Sequence, residues 1–466
     1  MKTTIACVVL SLTMAAPAQA QAPVAPAITL TEALRIAESR SETIAETRAS
    51  ETRAEADRIR ARSLRLPQVN LTGSYDRTLA SEFSGIFGSS ASTSATTSSS
   101  SSDSSVDFSK LPFGQRNVYR ATVSASQLLY SGGRTGAQLA QADLGKTSAA
   151  LATDGARAQL QLEVTKAFYD AALMDRLVII AESGLAQVSA AYEQTKLGFD
   201  AGRQPEFELL RAQVARDNQR PVVIRRRADR DTAYLRLRQL LKMPAPEPLA
   251  LNVDLDVATL SAPEPFIAAL AAATAEPPKA TRAQVLQADA LVNVREQAIA
   301  IARSERLPSV SVTSSFGKVG YPSSGLIPGF DDFRTNATIG VQLNVPLFTG
   351  YRLQGDALAA QADLEGAQVQ RNQARALAGL DTETAVNELR AAEAAWQATA
   401  GTIQQAQRAY EIADLRYREG LSTQLELSDS RLSLQVAQAN RAVAARDLQI
   451  ARTRVALLKN LPIGAR

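Results

Sequence analysis

The acidic residues Glu426 and Asp429 are the side chains with the clearest capacity for chemistry in this sequence. They are three positions apart, so on a helix both carboxylates lie on one face and together attract cations. A structural alternative stays open, because acidic residues also stabilise the first turn of a helix by ~0.3–1 kcal/mol each. Either role depends on a helix that begins shortly before Glu426.

Histidine is absent from the 466 residues, and Cys7 is the only cysteine. This composition excludes imidazole-based triads and the usual His/Cys zinc sites. Carboxylates, lysine, tyrosine and serine are the reactive groups that remain. We therefore predict no catalytic residue, no metal site, no cofactor and no enzymatic activity.

The charge balance argues against a nucleic-acid partner. The chain has 51 Lys+Arg and 47 Asp+Glu, and the two signs alternate along predicted helices instead of forming a basic stripe. The densest run, residues 224–231, mixes both signs and is typical of a solvated helix face. We predict no binding to nucleic acid.

The N-terminal residues have the pattern of a secretory signal peptide. A positive end at Lys2 precedes an apolar run from Ile5 to Met14, and Ala18 and Ala20 form a small-x-small cleavage site. The run is shorter than the ~20 residues that a membrane-spanning helix needs. Residues 1–20 are therefore predicted to be removed during export, together with Cys7.

The sequence contains two copies of one plan. The Leu-Pro pair at Leu66 recurs 241 residues later at Leu307, whereas Gly132 and Gly202 each recur 218 residues later as Gly350 and Gly420. The first copy therefore carries about 23 additional residues between its first two landmarks. A Ser/Thr/Ala-rich stretch within residues 81–115 accounts for them and predicts an exposed loop.

Within each copy the hydrophobic period changes from two to seven. Apolar and polar residues alternate after each Leu-Pro pair and again before each glycine, which predicts four strands of membrane-spanning length with one polar face. Residues 134–199 and 352–418 contain no proline, and each predicts one helix about 100 Å long. Apolar residues recur there every seven positions, as expected for a left-handed coiled coil. The heptad in the second copy is Leu389, Trp396, Ile403, Tyr410 and Tyr417.

Second helices are expected over 203–243 and 422–460, and shorter helices over 30–66 and 280–306. A proline-rich stretch joins the two copies. The predicted organisation is a signal peptide (1–20), an N-terminal helix (21–66), a first β-hairpin with the Ser-rich loop (67–130), a first helical hairpin (131–243), a linker (244–279), a further helix (280–307), a second β-hairpin (308–348), a second helical hairpin (349–460) and a C-terminal tail (461–466).

Four membrane strands in one chain predict an oligomer. Strands in lipid have to close so that no edge stays unpaired, and the smallest barrels of this kind use eight strands. At least two chains are therefore needed.

The duplicated strand–helix–glycine–helix plan closely resembles the TolC-like outer-membrane efflux channels over essentially the whole mature chain. The most specific segment is 417–429, with a weaker counterpart at 202–210. The resemblance implies a mainly α fold in which four strands per chain form a trimeric, 12-stranded transmembrane β-barrel above a long coiled-coil tunnel. It implies that the helices of 21–66 and 280–307 are periplasmic, that the Ser-rich loop 81–115 is extracellular, and that the linker 244–279 is equatorial. It implies the exit duct of a tripartite efflux or type I secretion system in the Gram-negative outer membrane. The implied partners are two further copies, outer-membrane lipid, a periplasmic adaptor and an inner-membrane pump of the RND or ABC type.

The resemblance also implies roles for particular residues. Glu426 and Asp429 match the acidic rings at the pore constriction. Tyr417 and Glu208 match two members of the tip gate, whose arginine is replaced by Ser422 here. The adaptor-docking tips correspond to Gly202, Gly420, Leu421 and Ser422. Structural alternatives stay open, because glycines terminate helices and Tyr417 also continues the heptad.

Two other classes of protein remain as alternatives. A periplasmic adaptor also combines a signal peptide with coiled-coil hairpins, but it has one hairpin where this chain has two. An enzyme that relies on carboxylates alone is disfavoured, because the acidic residues are spread along fibre-like helices.

Overall fold

A computed structural model describes residues 27–79, 117–244, 249–255, 260–322 and 328–465. The predicted signal peptide and the Ser-rich loop 81–115 lie outside the described residues. The helices are α1 Leu30–Arg40, α2 Glu42–Ser63, α3 Arg134–Asp200, α4 Glu206–Leu241, α5 Ile267–Ala275, α6 Ala283–Ser304, α7 Arg352–Ala398, α8 Thr402–Arg418 and α9 Gln424–Leu457. The strands are β1 Ala27–Ile28, β2 Gln68–Arg77, β3 Asn117–Tyr130, β4 Ala250–Leu251, β5 Ser309–Gly320 and β6 Phe333–Asn344.

The four long strands form one antiparallel sheet in the order β2-β3-β5-β6. β3 and β5 come from different copies, so the two repeats are joined edge to edge within the sheet. β2 and β6 form its two edges. The very short β1 and β4 make a separate parallel pair.

The sheet is amphipathic across all four strands. Leu71 pairs with Val123, Val123 with Phe316 and Phe316 with Ala337, so these apolar side chains share one face. That face is exposed: Leu71 keeps 76% of its surface and Ile339 keeps 81%. The opposite face carries hydroxyls, including Ser315 and Thr338, whose side-chain oxygens lie 2.7 Å apart.

The prediction of one unbroken helix holds for the first copy and is wrong for the second. α3 runs without interruption, whereas residues 399–401 separate α7 from α8. The predicted helix over 30–66 is likewise divided, because the backbone of Ser41 is extended between α1 and α2. No described helix combines enough length with enough apolar character to cross a bilayer.

The described residues divide into two compact units. The first, here called the hairpin unit, comprises the described residues within 27–42, 158–277 and 383–457. It contains α3 from Ala158 onward, α4, α8 and α9. α8 and α5 both pack on α9. Its largest fully buried side chains are aliphatic or aromatic, and they include Leu162, Val164, Phe168, Leu237, Leu241, Leu448 and Val455.

The second, the sheet unit, comprises the described residues within 43–157, 278–382 and 458–465. Its core contains a fully buried arginine, Arg282, which immediately precedes α6. Arg282 Nη1 donates to Asp381 Oδ2 at 2.6 Å, and Nη2 donates to the Leu461 carbonyl at 2.9 Å. The backbone N–H of Ala283 donates to the Lys459 carbonyl at 2.8 Å. This network fixes the C-terminal segment onto α6 and α7.

Candidate functional site

The two helical hairpins end in similar glycine turns. Gly202 follows α3 with φ +69°, and Gly420 follows α8 with φ +75°. The next N–H in each turn, that of Arg203 or Leu421, donates at 2.8 Å to a carbonyl five residues back. A helix that ends in the left-handed region favours glycine, and this explains both residues without any ligand. Neither glycine has another atom near its Cβ position, so both tips are open to a partner.

Tyr417 is buried where the two hairpins meet. It retains 7% of its surface and packs in a cluster with Ala413, Leu427 and Ala191. Its hydroxyl lies 2.7 Å from Thr195 Oγ1. The Thr195 hydroxyl donates to the Ala191 carbonyl at 2.8 Å, so Tyr417 is the donor in the bond between the two side chains. This bond connects α8 to the last turns of α3.

The other two predicted gate residues lie nearby and have different partners. With its amide nitrogen oriented towards α4, the buried Gln424 donates to Glu208 Oε2 at 3.2 Å and accepts from the Ala212 N–H at 3.2 Å. Ser422 Oγ is buried and has no hydrogen-bond partner among the described residues. Within one chain, Tyr417 therefore pairs with Thr195, and Glu208 pairs with Gln424.

The predicted carboxylates occupy different surroundings on the first turns of α9. Glu426 Oε1 accepts from Arg416 Nη1 of α8 at 2.9 Å, in a half-exposed ion pair. Asp429 is exposed and forms no ion pair among the residues that the structure describes. It shares its face of α9 with three exposed apolar residues, Leu425, Leu432 and Val436, at i, i+4, i+7 and i+11 spacing. Asp429 thus carries the free negative charge on this face.

Arg431, in the second turn of α9, is a half-buried cation close to these carboxylates in the sequence. Arg431 donates to Ser428 Oγ at 3.2 Å, and burial lowers the pKa of its guanidinium. Burial also raises the pKa of the nearby Tyr410 hydroxyl. In the described part of the chain no cluster of three or more His, Cys, Asp or Glu side chains is placed to hold a metal ion.

Sequence reasoning did not identify Thr195, Gln424 or Arg416. Thr195 lies in the long helix predicted for the first copy, but its hydroxyl contact with Tyr417 joins residues 222 positions apart. Gln424 is buried at the first position of α9, where a polar residue gives no periodic signal. Leu425 and Leu432 also follow from the structure, because their exposure places them beside Asp429.

Known proteins resemble this chain in sequence and in fold. Residues 33–241 and 279–460 match the outer membrane efflux protein family. The pyoverdine export outer membrane protein OpmQ of Pseudomonas aeruginosa is 26% identical over 158 residues, which make up 34% of this chain. The matched segment spans 32% of the length of that curated relative.

Two solved structures illustrate the likeness in fold. The outer membrane protein VceC of Vibrio cholerae has a TM-score of 0.70 at 20% identity, with 94% of this chain and 97% of that chain covered. The open state of the MtrE outer membrane channel of Neisseria gonorrhoeae has a TM-score of 0.69 at 19% identity, with 94% and 90% covered.

Proposed function

Because the chain belongs to the outer membrane efflux protein family, we propose that three copies form a channel-tunnel through the outer membrane. The chain itself is a protein of the Gram-negative outer membrane. In the proposal its helical part extends into the periplasm and forms the exit duct of a tripartite efflux or type I secretion system. The family and the solved relatives are channels and not enzymes, and the comparisons give no support to the alternative of a periplasmic adaptor.

The four-stranded sheet is the observation that carries the proposal. It exposes a continuous apolar face and ends in two edge strands, β2 and β6. An apolar face of this kind suits lipid, and lipid does not tolerate strand edges without hydrogen-bond partners. Pairing of β2 in one subunit with β6 in the next subunit removes both edges. Three chains would then contribute four strands each to a 12-stranded barrel.

The pore entrance is proposed to lie at the start of α9. Three copies of Asp429 and Glu426 would form two rings of carboxylates that favour cations. Leu425 and Leu432 lie on the face of Asp429, so the same turns would also narrow the entrance with apolar side chains. Arg416 neutralises part of the Glu426 charge, and Asp429 is therefore expected to contribute more to selectivity.

We further propose that the closed state of the tip is stabilised by three residues, Tyr417, Glu208 and Ser422. The bond from Tyr417 to Thr195 and the contact between Gln424 and Glu208 both join the two hairpins, which supports a role in holding them together. The open turns around Gly202 and Gly420, with the exposed Leu421 beside Ser422, are proposed to contact the adaptor.

The proposed partners are a periplasmic adaptor and an inner-membrane pump of the RND or ABC type. The proposed cargo is a small molecule or a secreted protein. The relative OpmQ exports pyoverdine, which favours a small molecule as the first cargo to test.

Purified in detergent, the mature protein is expected to have the native mass of three chains. The reason is that one sheet of four strands closes only with strands from other copies. Native mass spectrometry measures the stoichiometry, and cysteine pairs scanned along β2 and β6 locate the joint between copies. A stable monomer that inserts into bilayers would contradict the proposal.

Replacing both Glu426 and Asp429 with alanine is expected to reduce the cation preference of the channel severalfold. The measurement is the reversal potential in planar bilayers under a salt gradient. Asp429→Asn alone is expected to give most of the change, because Glu426 is already paired with Arg416. The exposed Glu46→Gln, outside these turns, serves as the charge-matched control. Unchanged selectivity in the double variant would remove both residues from the constriction.

A further inference from the structure

The break between α7 and α8 has its own pattern of hydrogen bonds. The N–H of Thr399 still donates to the carbonyl of Ala395, but the N–H of Ala400 donates to Gln397, one residue nearer than in an α-helix. The carbonyl of Trp396 therefore loses the N–H that an unbroken helix would bring to it. Regular helix bonding resumes when the N–H of Gln405 donates to Gly401.

An arginine from α9 donates a hydrogen bond to the Trp396 carbonyl, which the break leaves without its helical N–H donor. Arg441 Nη1 donates to the Trp396 carbonyl at 2.5 Å and to Thr399 Oγ1 at 3.2 Å. Thr399 in turn donates its hydroxyl to the same carbonyl at 2.9 Å. The Arg441 guanidinium also lies 3.0 Å from the centre of the Trp396 ring, and only 6% of the residue is exposed. Arg441 thus contacts both the ring and the backbone carbonyl of Trp396, close to the end of α7.

The first copy provides an internal comparison, since α3 is continuous at the corresponding residues. The equivalent residues at the 218-residue offset are Val178 for Trp396, Ala181 for Thr399, Ser183 for Gly401 and Val223 for Arg441. Val178 and Val223 are both buried, so apolar packing occupies the place of the arginine contact. The break is therefore specific to the second hairpin, which carries Glu426 and Asp429.

We propose that residues 399–401 form a joint with two states, and that Arg441 stabilises the observed state, in which the helix is broken. In the other state the N–H of Ala400 returns to the Trp396 carbonyl, α7 and α8 become one helix, and Arg441 releases that carbonyl. α8 and the turn at Gly420 then change direction relative to α7. The proposal rests on the proposed channel function only for its consequence, which is movement of the tip that carries Asp429.

The residues in the joint suit such a change. Gly401 is exposed, has helical φ and ψ values and has open space at its Cβ position, so no packing prevents a straight helix there. Interruptions of helices have identifiable local causes, and here a side chain, that of Arg441, is inserted into the hydrogen-bond ladder. Residues 352–418 contain no proline. The free-energy difference between the two states depends on the Trp396 carbonyl, for which the Ala400 N–H competes with Arg441 and the Thr399 hydroxyl.

Spin labels on Ala391 and Gln405, both exposed, measure the joint directly. The only cysteine, Cys7, lies in the predicted signal peptide, so two engineered cysteines can be labelled selectively. A straight helix places these two Cα atoms about 21 Å apart. In Gly401→Ala the straight population is expected to rise about fivefold relative to the broken one, because alanine is favoured over glycine in a helix interior and disfavoured at the N-cap position that Gly401 holds in the broken state. Arg441→Met is expected to shift the distance distribution further in the same direction.

The control is Ser183→Ala, which makes a helix-favouring change at the matching residue of the unbroken α3. It should leave the distance distribution at the joint unchanged. If both Gly401→Ala and Arg441→Met keep the distance distribution of the wild type, the proposal is overturned. Gly401→Ala guards against misfolding because it alters no core contact. Labelled chains are diluted with unlabelled ones, and native mass of the same samples reports separately on assembly.

Discussion

Replacing Arg282 with methionine is expected to destabilise the sheet unit by about 3–5 kcal/mol, the usual cost of removing one partner from a buried ion pair. The change leaves Asp381, 9% exposed, without the guanidinium that neutralises it. It also removes the donor to the Leu461 carbonyl. Chemical denaturation followed by far-UV circular dichroism in detergent measures the loss, and limited proteolysis after residue 457 reports release of the C-terminal segment.

The matched control is Arg60→Met, which removes an arginine of the same unit from an exposed ion pair with Asp57 at 2.9 Å. Exposed pairs contribute about 0–1 kcal/mol, so this variant should denature close to the wild type. The double variant Arg282→Met, Asp381→Leu is expected to recover part of the stability, because no uncompensated charge stays buried. Equal stability of Arg60→Met and Arg282→Met would show that the buried network does not hold the C-terminal segment.

Gly132→Ala is expected to destabilise the protein by about 2–5 kcal/mol, of which about 1–2 kcal/mol comes from its positive φ. A Cβ atom at Gly132 would lie 2.8 Å from Leu307 Cβ and 3.0 Å from the Ser304 carbonyl oxygen. Those atoms belong to a side-chain root and a backbone group, which cannot turn aside. Overpacking of this kind typically adds about 1–3 kcal/mol. The same denaturation measurement checks the value.

Gly350 is the natural control for this change, because it occupies the equivalent turn of the second copy. Its φ of +60° nearly equals the +61° of Gly132, but nothing lies within 4 Å of its Cβ position. Gly350→Ala should therefore carry only the backbone cost of about 1–2 kcal/mol. If Gly132→Ala and Gly350→Ala lose the same stability, the close approach of Leu307 to Gly132 does not contribute to the cost of the substitution.

The alternating residues predicted the strands well, and they failed where pairing ends. Alternation in the second copy continues to Leu347, yet β6 stops at Asn344. Asn344 pairs with Ser309, the first residue of β5, so later residues have no partner strand. Strand ends are set by the partner, which a single run of residues does not contain.

The heptad predicted where the long helices run but not the break in the second one. Trp396, Thr399 and Ile403 keep the heptad spacing through the break, so the pattern gives no warning. The cause is Arg441, which is 45 positions from Trp396 along the chain. At the tips, spacing placed Glu426 and Asp429 on one helix, but only the packing of α8 on α9 brings Arg416 to Glu426.

The two edges of the sheet have a consequence for how defects spread. The two edges belong to different strands, and each subunit presents one β2 edge and one β6 edge. Subunits joined through these edges therefore associate head to tail. Such a chain of subunits ends only by closing on itself. A subunit with one damaged edge can still join through its intact edge. No further subunit can then be added at the damaged edge, and the ring stays open. Loss of one edge would therefore act dominantly over the normal protein made in the same cell, whereas loss of both edges would be recessive.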